Sequence, residues 1–187
     1  MASTFFRVLD EVYFPNRWHL GDPSDLNGRY IDPRLFTAGT RTGMRGPLRV
    51  TVDIAGTPLH FTFAAFDMPV AARGIVDILE QFSEGGIERI PVEVESSGAE
   101  YEICNVLTVI HCLDESRSEI LYWTESDGRP DKVGRYRQVT NMRIDSSRAK
   151  GAHLFRLGGW KIALIVSEDV KDILERTGVT GITFQQV

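Results

Sequence analysis

The stretch AHLFRLGGWKIALIVSEDVKDILERTGVTGITF, residues 152–184, decides the fold class. Ala152 to Leu157 and Lys161 to Val166 are strand-like, and Gly158-Gly159 between them marks a hairpin turn. The second run is nearly all apolar, which places it at the centre of a sheet with both faces covered. Ser167 then offers a helix N-cap, Val170, Ile173 and Leu174 share one face of a short helix, and Gly178 stops it. Ile182-Thr183-Phe184 closes the chain as a last strand. Strand, helix and strand thus follow one another within about thirty residues.

Upstream, strand patterns dominate. Ile90 to Glu95, a Ser96-Ser97-Gly98 turn, a long run from Tyr101 to Leu113, Ile120 to Thr124 and Val139 to Ile144 are further strand candidates. Leu48 to Ile54 alternates apolar and polar residues, and with Leu59 to Phe66 it predicts a β-hairpin. Asp67 is placed to cap a helix with Pro69 in its second position. Val70, Ala71, Ile75, Ile78, Leu79 and Phe82 recur at helical intervals before Gly85-Gly86.

Residues 1–47 are harder. Phe5, Phe6, Val8, Leu9, Val12, Tyr13 and Phe14 are apolar, but prolines and glycines from Pro15 to Pro47 exclude a helix of normal length. An irregular connection of that length is either functional or conceals short strands. The expectation is one α+β domain over residues 1–187. It has a mostly antiparallel sheet, two main helices packed on it over residues 48–187, and an irregular segment over 1–47.

Composition narrows the function. The 187 residues carry 26 acidic and 21 basic side chains, a net charge of −5, which disfavours binding a nucleic-acid backbone through bulk charge. With 42% hydrophobic residues the chain has material for a core without a metal or disulfide staple. The longest apolar stretch, Ile162 to Val166, is far too short to span a membrane, and Met1 to Leu9 lacks a leader pattern, so a cytoplasmic protein without a membrane partner is expected. Cys104 and Cys112, if on one strand, lie beyond disulfide reach and are expected as reduced, buried thiols.

No chemical motif stands out. A phosphate-binding glycine loop is absent, and the glycines between Gly39 and Gly46 have the wrong spacing. His19, His60, His111 and His153 are scattered, and on a strand His111 would point away from Cys104 and Cys112, so neither metal nor cofactor is expected. His111, Asp114 and Ser116 form the nearest approach to a nucleophile, base and orienting acid, the constellation an enzyme would need. The expectation is nevertheless that the chain is not an enzyme.

Charge is segregated. Between Glu93 and Asp127 there are nine acidic residues and one basic, a net of −8, whereas Arg129 to Lys150 holds seven basic and two acidic, a net of +5. Neighbouring strands that neutralise each other would explain this. A docking surface for an oppositely charged macromolecule would explain it too. The candidate partner-binding residues are therefore Glu93, Glu95, Glu100 and Glu102 of an acidic hairpin, and Arg129, Lys132, Arg135, Tyr136 and Arg137 of a basic loop. Tyr122, Trp123 and Tyr136 flank these charges and are of the type enriched at binding hot spots.

Several segments together resemble one family. Tyr101-Glu102-Ile103-Cys104-Asn105-Val106-Leu107, Cys112-Leu113-Asp114 with Ser116 and Ser118, His153-Leu154-Phe155-Arg156-Leu157, and Ile165-Val166-Ser167-Glu168 leading to Gly178-Val179-Thr180-Gly181-Ile182-Thr183-Phe184 resemble the eleventh numbered immunity family of bacterial polymorphic toxin systems. The resemblance covers about residues 100–187; residues 1–90 carry none. It implies a small cytoplasmic protein that binds a cognate toxin domain and blocks it without catalysis. A regulatory or scaffold protein of the same fold, homodimeric through apolar surface on the N-terminal segment, is the alternative.

Overall fold

A computed structural model describes residues 4–95 and 97–187; Ser96, part of the anticipated turn after residue 95, lies outside the described residues. In chain order the strands are β1 (Phe5–Asp10), β2 (His19–Ser24), β3 (Leu48–Ile54), β4 (Phe61–Ala64) and β5 (Met68–Ala72), followed by helix α1 (Arg73–Gln81). Next come β6 (Ile87–Val94), β7 (Tyr101–Val106), β8 (Val109–Ile110), β9 (Glu119–Tyr122), β10 (Tyr136–Thr140), β11 (Leu154–Leu157) and β12 (Leu164–Ser167). Helix α2 (Glu168–Thr177) and β13 (Ile182–Gln186) complete the chain. The described residues are thus mostly β-sheet with two α-helices.

The strands form a five-stranded sheet ordered β13-β1-β12-β11-β8, a six-stranded sheet ordered β2-β3-β6-β7-β5-β4, and the β9–β10 pair. Two ladders, β3 with β6 and β8 with β11, are parallel; the other eight are antiparallel. The six-stranded sheet curls into a nearly closed barrel. Its end strands β2 and β4 meet, and Trp18 before β2 donates its indole N–H to Thr62 Oγ1 of β4 at 2.9 Å. Trp18, Val50, Met68, Val70, Ile90 and Ile103 fill the interior.

A second core lies outside the barrel, where Ile75, Val76 and Leu79 of α1 and Val170 and Leu174 of α2 meet one face of the five-stranded sheet through Val8, Leu164 and Val166. The other face buries Phe5, Phe155 and Ile165 against Cys112, Val139 and Met142. β12 therefore has apolar neighbours on both sides, as its composition requires. The C-terminal unit follows its local signals: Ser167 Oγ accepts the Val170 N–H, Glu168 and Asp169 sit at the positive end of α2, and Gly178 ends it at φ 72°.

Elsewhere long-range pairing overrides local pattern. The segment expected to be irregular over 1–47 holds β1, β2 and a 3₁₀ turn at Pro33–Thr37. β1 is inserted between β12 and β13 and buries residues toward both faces, which hides the period-two alternation. β2 contains Pro23 and is tolerated because it is an end strand with irregular register. The expected hairpin of residues 48–66 does not form; β3 pairs with β2 and β6, and β4 with β5. Thr57 explains this, since its N–H goes to Asn16 O and its carbonyl accepts from Trp18, drawing the connection toward residues 16–18.

The helix expected from Asp67 starts only at Arg73, because Phe66 and Asp67 adopt left-handed backbone and fold β5 back on β4. The long run from Tyr101 breaks at Leu107, and its halves join different sheets. Cys104 and Cys112 are consequently not on one strand, although both are buried and free. The strand expected at Val139–Ile144 lies earlier, at Tyr136–Thr140, ended by Asn141 at φ 45°.

Glu88 ties the 40–43 loop to the barrel. Its buried carboxylate accepts from the Thr42 and Gly43 N–H groups at 2.8 Å each, from Thr42 Oγ1 at 3.1 Å and from Asn105 Nδ2 at 2.8 Å. Burial pushes this carboxyl upward, but the four donors outweigh burial and hold it below the ordinary range. A depressed folded pKa stabilises above the unfolded value of about 4.3 and loses that contribution as pH falls through the folded value. Glu88→Gln is therefore expected to cost about 1–3 kcal/mol at pH 7, with the gap to wild type narrowing at about pH 3 in urea titrations. A pH-independent gap would contradict this.

Candidate functional site

The acidic hairpin is largely matched by arginines. Glu102 is 8% exposed and accepts from Arg89 Nε at 2.6 Å, while Arg89 also pairs with Asp77 and Glu80 of α1 at 2.7 Å each. Glu100 meets Arg73 at 2.9 Å and Glu93 meets Arg49 at 3.3 Å, leaving Glu95 with no ion pair among the described residues. Exposed pairs of this sort contribute only about 0–1 kcal/mol. They still cancel the field that the four glutamates would otherwise project.

The basic segment is organised around aromatic rings. Lys132 Nζ and the Arg137 guanidinium lie 5.0 and 5.1 Å from the Trp123 ring, and Arg137 also pairs with Asp127. Arg129 pairs with Asp131 at 3.1 Å. Tyr136 and Tyr122 have ring centroids 5.7 Å apart and donate their hydroxyls to the two oxygens of Glu115, at 2.5 and 2.9 Å. These donors hold the Glu115 carboxyl below its usual range; burial and that carboxylate push Tyr136 up to about 12. Arg135 has no ion pair among the described residues and is exposed.

A cleft of about 780 Å³ opens between this hairpin, the Pro33–Thr37 turn and residues 158–162. Arg135, Tyr136 and Tyr122 line one side, Arg34 another, and Lys161 and Ile162 a third. The Gly158-Gly159 turn builds its floor: a Cβ on Gly159, which has φ 85°, would come within 2.7 Å of the Tyr136 ring, and one on Gly158 within 2.5 Å of His111. Of the three lining cations Arg34 is already paired with Asp32 at 2.8 Å, so Arg135 and Lys161 remain beside one lining carboxylate, Glu115, on a chain whose net charge is −5.

Phe66 stands beside the cleft. Its ring lies 5.4 Å from the Arg34 guanidinium and is 58% exposed, yet its backbone is left-handed at φ 55°, ψ 40°. That conformation costs a bulky residue about 1–3 kcal/mol, and burial of the ring does not repay it.

Of the nine anticipated binding residues, the cleft gathers Arg135 and Tyr136; Arg129, Lys132 and Arg137 lie on the flanking hairpin and its loop, and the four glutamates belong to the barrel. Sequence reasoning missed Arg34, Phe66, Lys161 and Ile162. The available signal was an exposed-type Lys-Ile pair after a glycine turn, and an aromatic residue between two strands where a turn former is usual.

His111 lines the cleft, but Ser116 Oγ donates to Asp114 at 2.6 Å, not to His111, and Arg117 pairs with the same carboxylate. Asp114 is held down at about 2 by these partners. The nucleophile and base are therefore not in hydrogen-bond contact. Burial pushes the Cys104 and Cys112 thiols up to about 12 and about 11, and no group of metal-ligating side chains converges among the described residues. No helix of the described residues is long and apolar enough to cross a membrane.

A family model described as "Immunity protein family (Imm11)" matches residues 11–187, reaching well upstream of the segments that carry the resemblance. No curated protein matches the chain.

Proposed function

Because the chain belongs to the Imm11 immunity protein family, we propose that it binds and neutralises a cognate bacterial toxin domain in the cytoplasm, without catalysis of its own. The observation that carries this reading is the extent of the match, which spans the barrel, both helices and every cleft-lining residue. The separation of Ser116 from His111 supports a non-catalytic mode. So does a cleft whose side chains are of hot-spot type, Tyr and Arg, with an apolar rim.

Of the two charged surfaces, the basic one with Arg129, Lys132, Arg135, Tyr136 and Arg137 is the better docking face: Glu93, Glu100 and Glu102 are matched by arginines and only Glu95 is left, whereas Arg129 and Arg137 are paired but Lys132 and Arg135 have no ion pair among the described residues. The complex should be a heterodimer burying about 1,200–2,000 Å². Gel filtration and titration calorimetry with candidate toxin domains from the source bacterium test it. Wild type and Ser116→Ala are expected to bind alike, and Glu95→Lys to stay within about twofold of wild type. Loss of neutralisation in Ser116→Ala, with binding intact, would favour catalysis instead.

A further inference from the structure

The chemistry of the cleft says what its occupant brings. Arg135 is unpaired among the described residues, and Lys161 Nζ is bonded to one carbonyl, Ala38 O, at 2.8 Å. Among the described residues the only carboxylate in the lining, Glu115, already has a tyrosine hydroxyl on each oxygen. Arg34 is matched by Asp32 at 2.8 Å, so the positive charge left without a carboxylate is that of Arg135 and Lys161, on an otherwise acidic chain. It also sits on side chains: the Gly134 and Gly158 N–H groups are used by the Trp123 and Ile110 carbonyls, so the glycines do not form a backbone cradle of the kind that selects phosphate.

Apolar surface accompanies the charge. Ile162 is 38% exposed, Tyr122 42% and Phe66 58%, and Phe66 is held in strained backbone while displayed to solvent. Strain retained at an exposed aromatic residue is characteristic of a ligand clamp. Cations interleaved with exposed aromatic and aliphatic side chains match a protein partner better than a small anion.

We propose that the cleft seats an acidic loop of the toxin, its carboxylates on Arg135 and Lys161 and an apolar side chain against Phe66. This rests on the neutralisation reading above, and the test separates the two. Phe66→Gly should leave the thermal midpoint unchanged or raise it, because glycine takes the left-handed region freely, while weakening toxin binding about 10–30-fold in calorimetry. Arg135→Glu combined with Lys161→Glu should weaken binding by about 100-fold at low salt.

Independently of any toxin, the acetylated peptide Asp-Glu-Phe-Asp-Glu should shift the Gly159 and Ile162 amide resonances of the wild-type protein, and its amide counterpart Asn-Gln-Phe-Asn-Gln should not. Wild-type affinity in both variants would overturn the proposal and leave neutralisation standing through another face. Equal shifts from the two peptides, or shifts from pyrophosphate alone, would overturn it as well. Failure of the wild-type protein to bind toxin overturns neutralisation itself, whatever the peptides do.

Discussion

Arg156→Met is expected to lower stability by about 3–5 kcal/mol and to loosen two walls of the cleft at once. Arg156, on β11, is fully buried and makes no salt bridge among the described residues. Its guanidinium donates instead to three backbone carbonyls: Val106 O at 3.3 Å, Lys161 O at 2.8 Å and Phe36 O at 3.0 Å. Burial depresses it to about 10, so it remains protonated at neutral pH. Methionine fills a similar volume but removes the donor from two buried carbonyls, Val106 O and Phe36 O, and from the part-buried Lys161 O, and each buried acceptor left unpaired costs about 1–3 kcal/mol.

Removing a buried charge returns part of that cost, which is why the estimate stays below the sum. Lysine, a point charge without the planar fork, should rescue only part of it. Because Phe36 and Lys161 belong to the cleft's own segments, the same variant should weaken toxin binding even where it is still folded. Urea unfolding measures the first effect. A midpoint equal to wild type would mean that desolvation of the guanidinium cancels its three bonds.

Gly181→Ala should be destabilising to a similar extent, about 3–5 kcal/mol, and Gly178→Ala far less, about 1 kcal/mol. Both glycines have positive φ, 98° and 72°, so both substitutions strain the backbone. Only at Gly181 does the added methyl also run into the Phe61 carbonyl oxygen, with Leu59 Cβ at 3.0 Å; at Gly178 the space is open. The obstacle is backbone and cannot swing away. The Phe61 N–H is held by Thr180 O at 3.1 Å and Gly181 O is held by the Glu11 N–H at 2.9 Å, so β4, the 180–181 turn and the end of β1 are locked together. Equal midpoints for the two variants would show that the joint yields.

These contrasts mark what was legible in the sequence. The unit from β11 to β13 was readable because its signals are local: a glycine turn, a serine cap, a helical face and a glycine stop lie within a few residues of the elements they shape. β1 was not, because a strand covered on both faces loses its alternation and its partners sit more than 150 residues away. Phe66 and Asp67 misled in a specific way, since an Asp-x-Pro start imitates a helix N-terminus while the actual backbone turns left-handed.

The site was half legible. Arg135 and Tyr136 stood out through the charge imbalance around them, but their neighbours across the cleft, Arg34 and Lys161, come from distant segments brought together by the guanidinium of Arg156. A buried arginine in a strand offers no local cue to what it joins. The acidic hairpin failed for the complementary reason: Arg49, Arg73 and Arg89, which match it, lie outside the acidic stretch.

Survival is the most direct measurement. Cells expressing the cognate toxin domain should resume growth when this chain is co-expressed, and the two proteins should elute as a one-to-one complex with a Kd on the order of nanomolar. Undiminished killing in the presence of folded, abundant protein, with the two eluting separately, would contradict a role in neutralisation by binding.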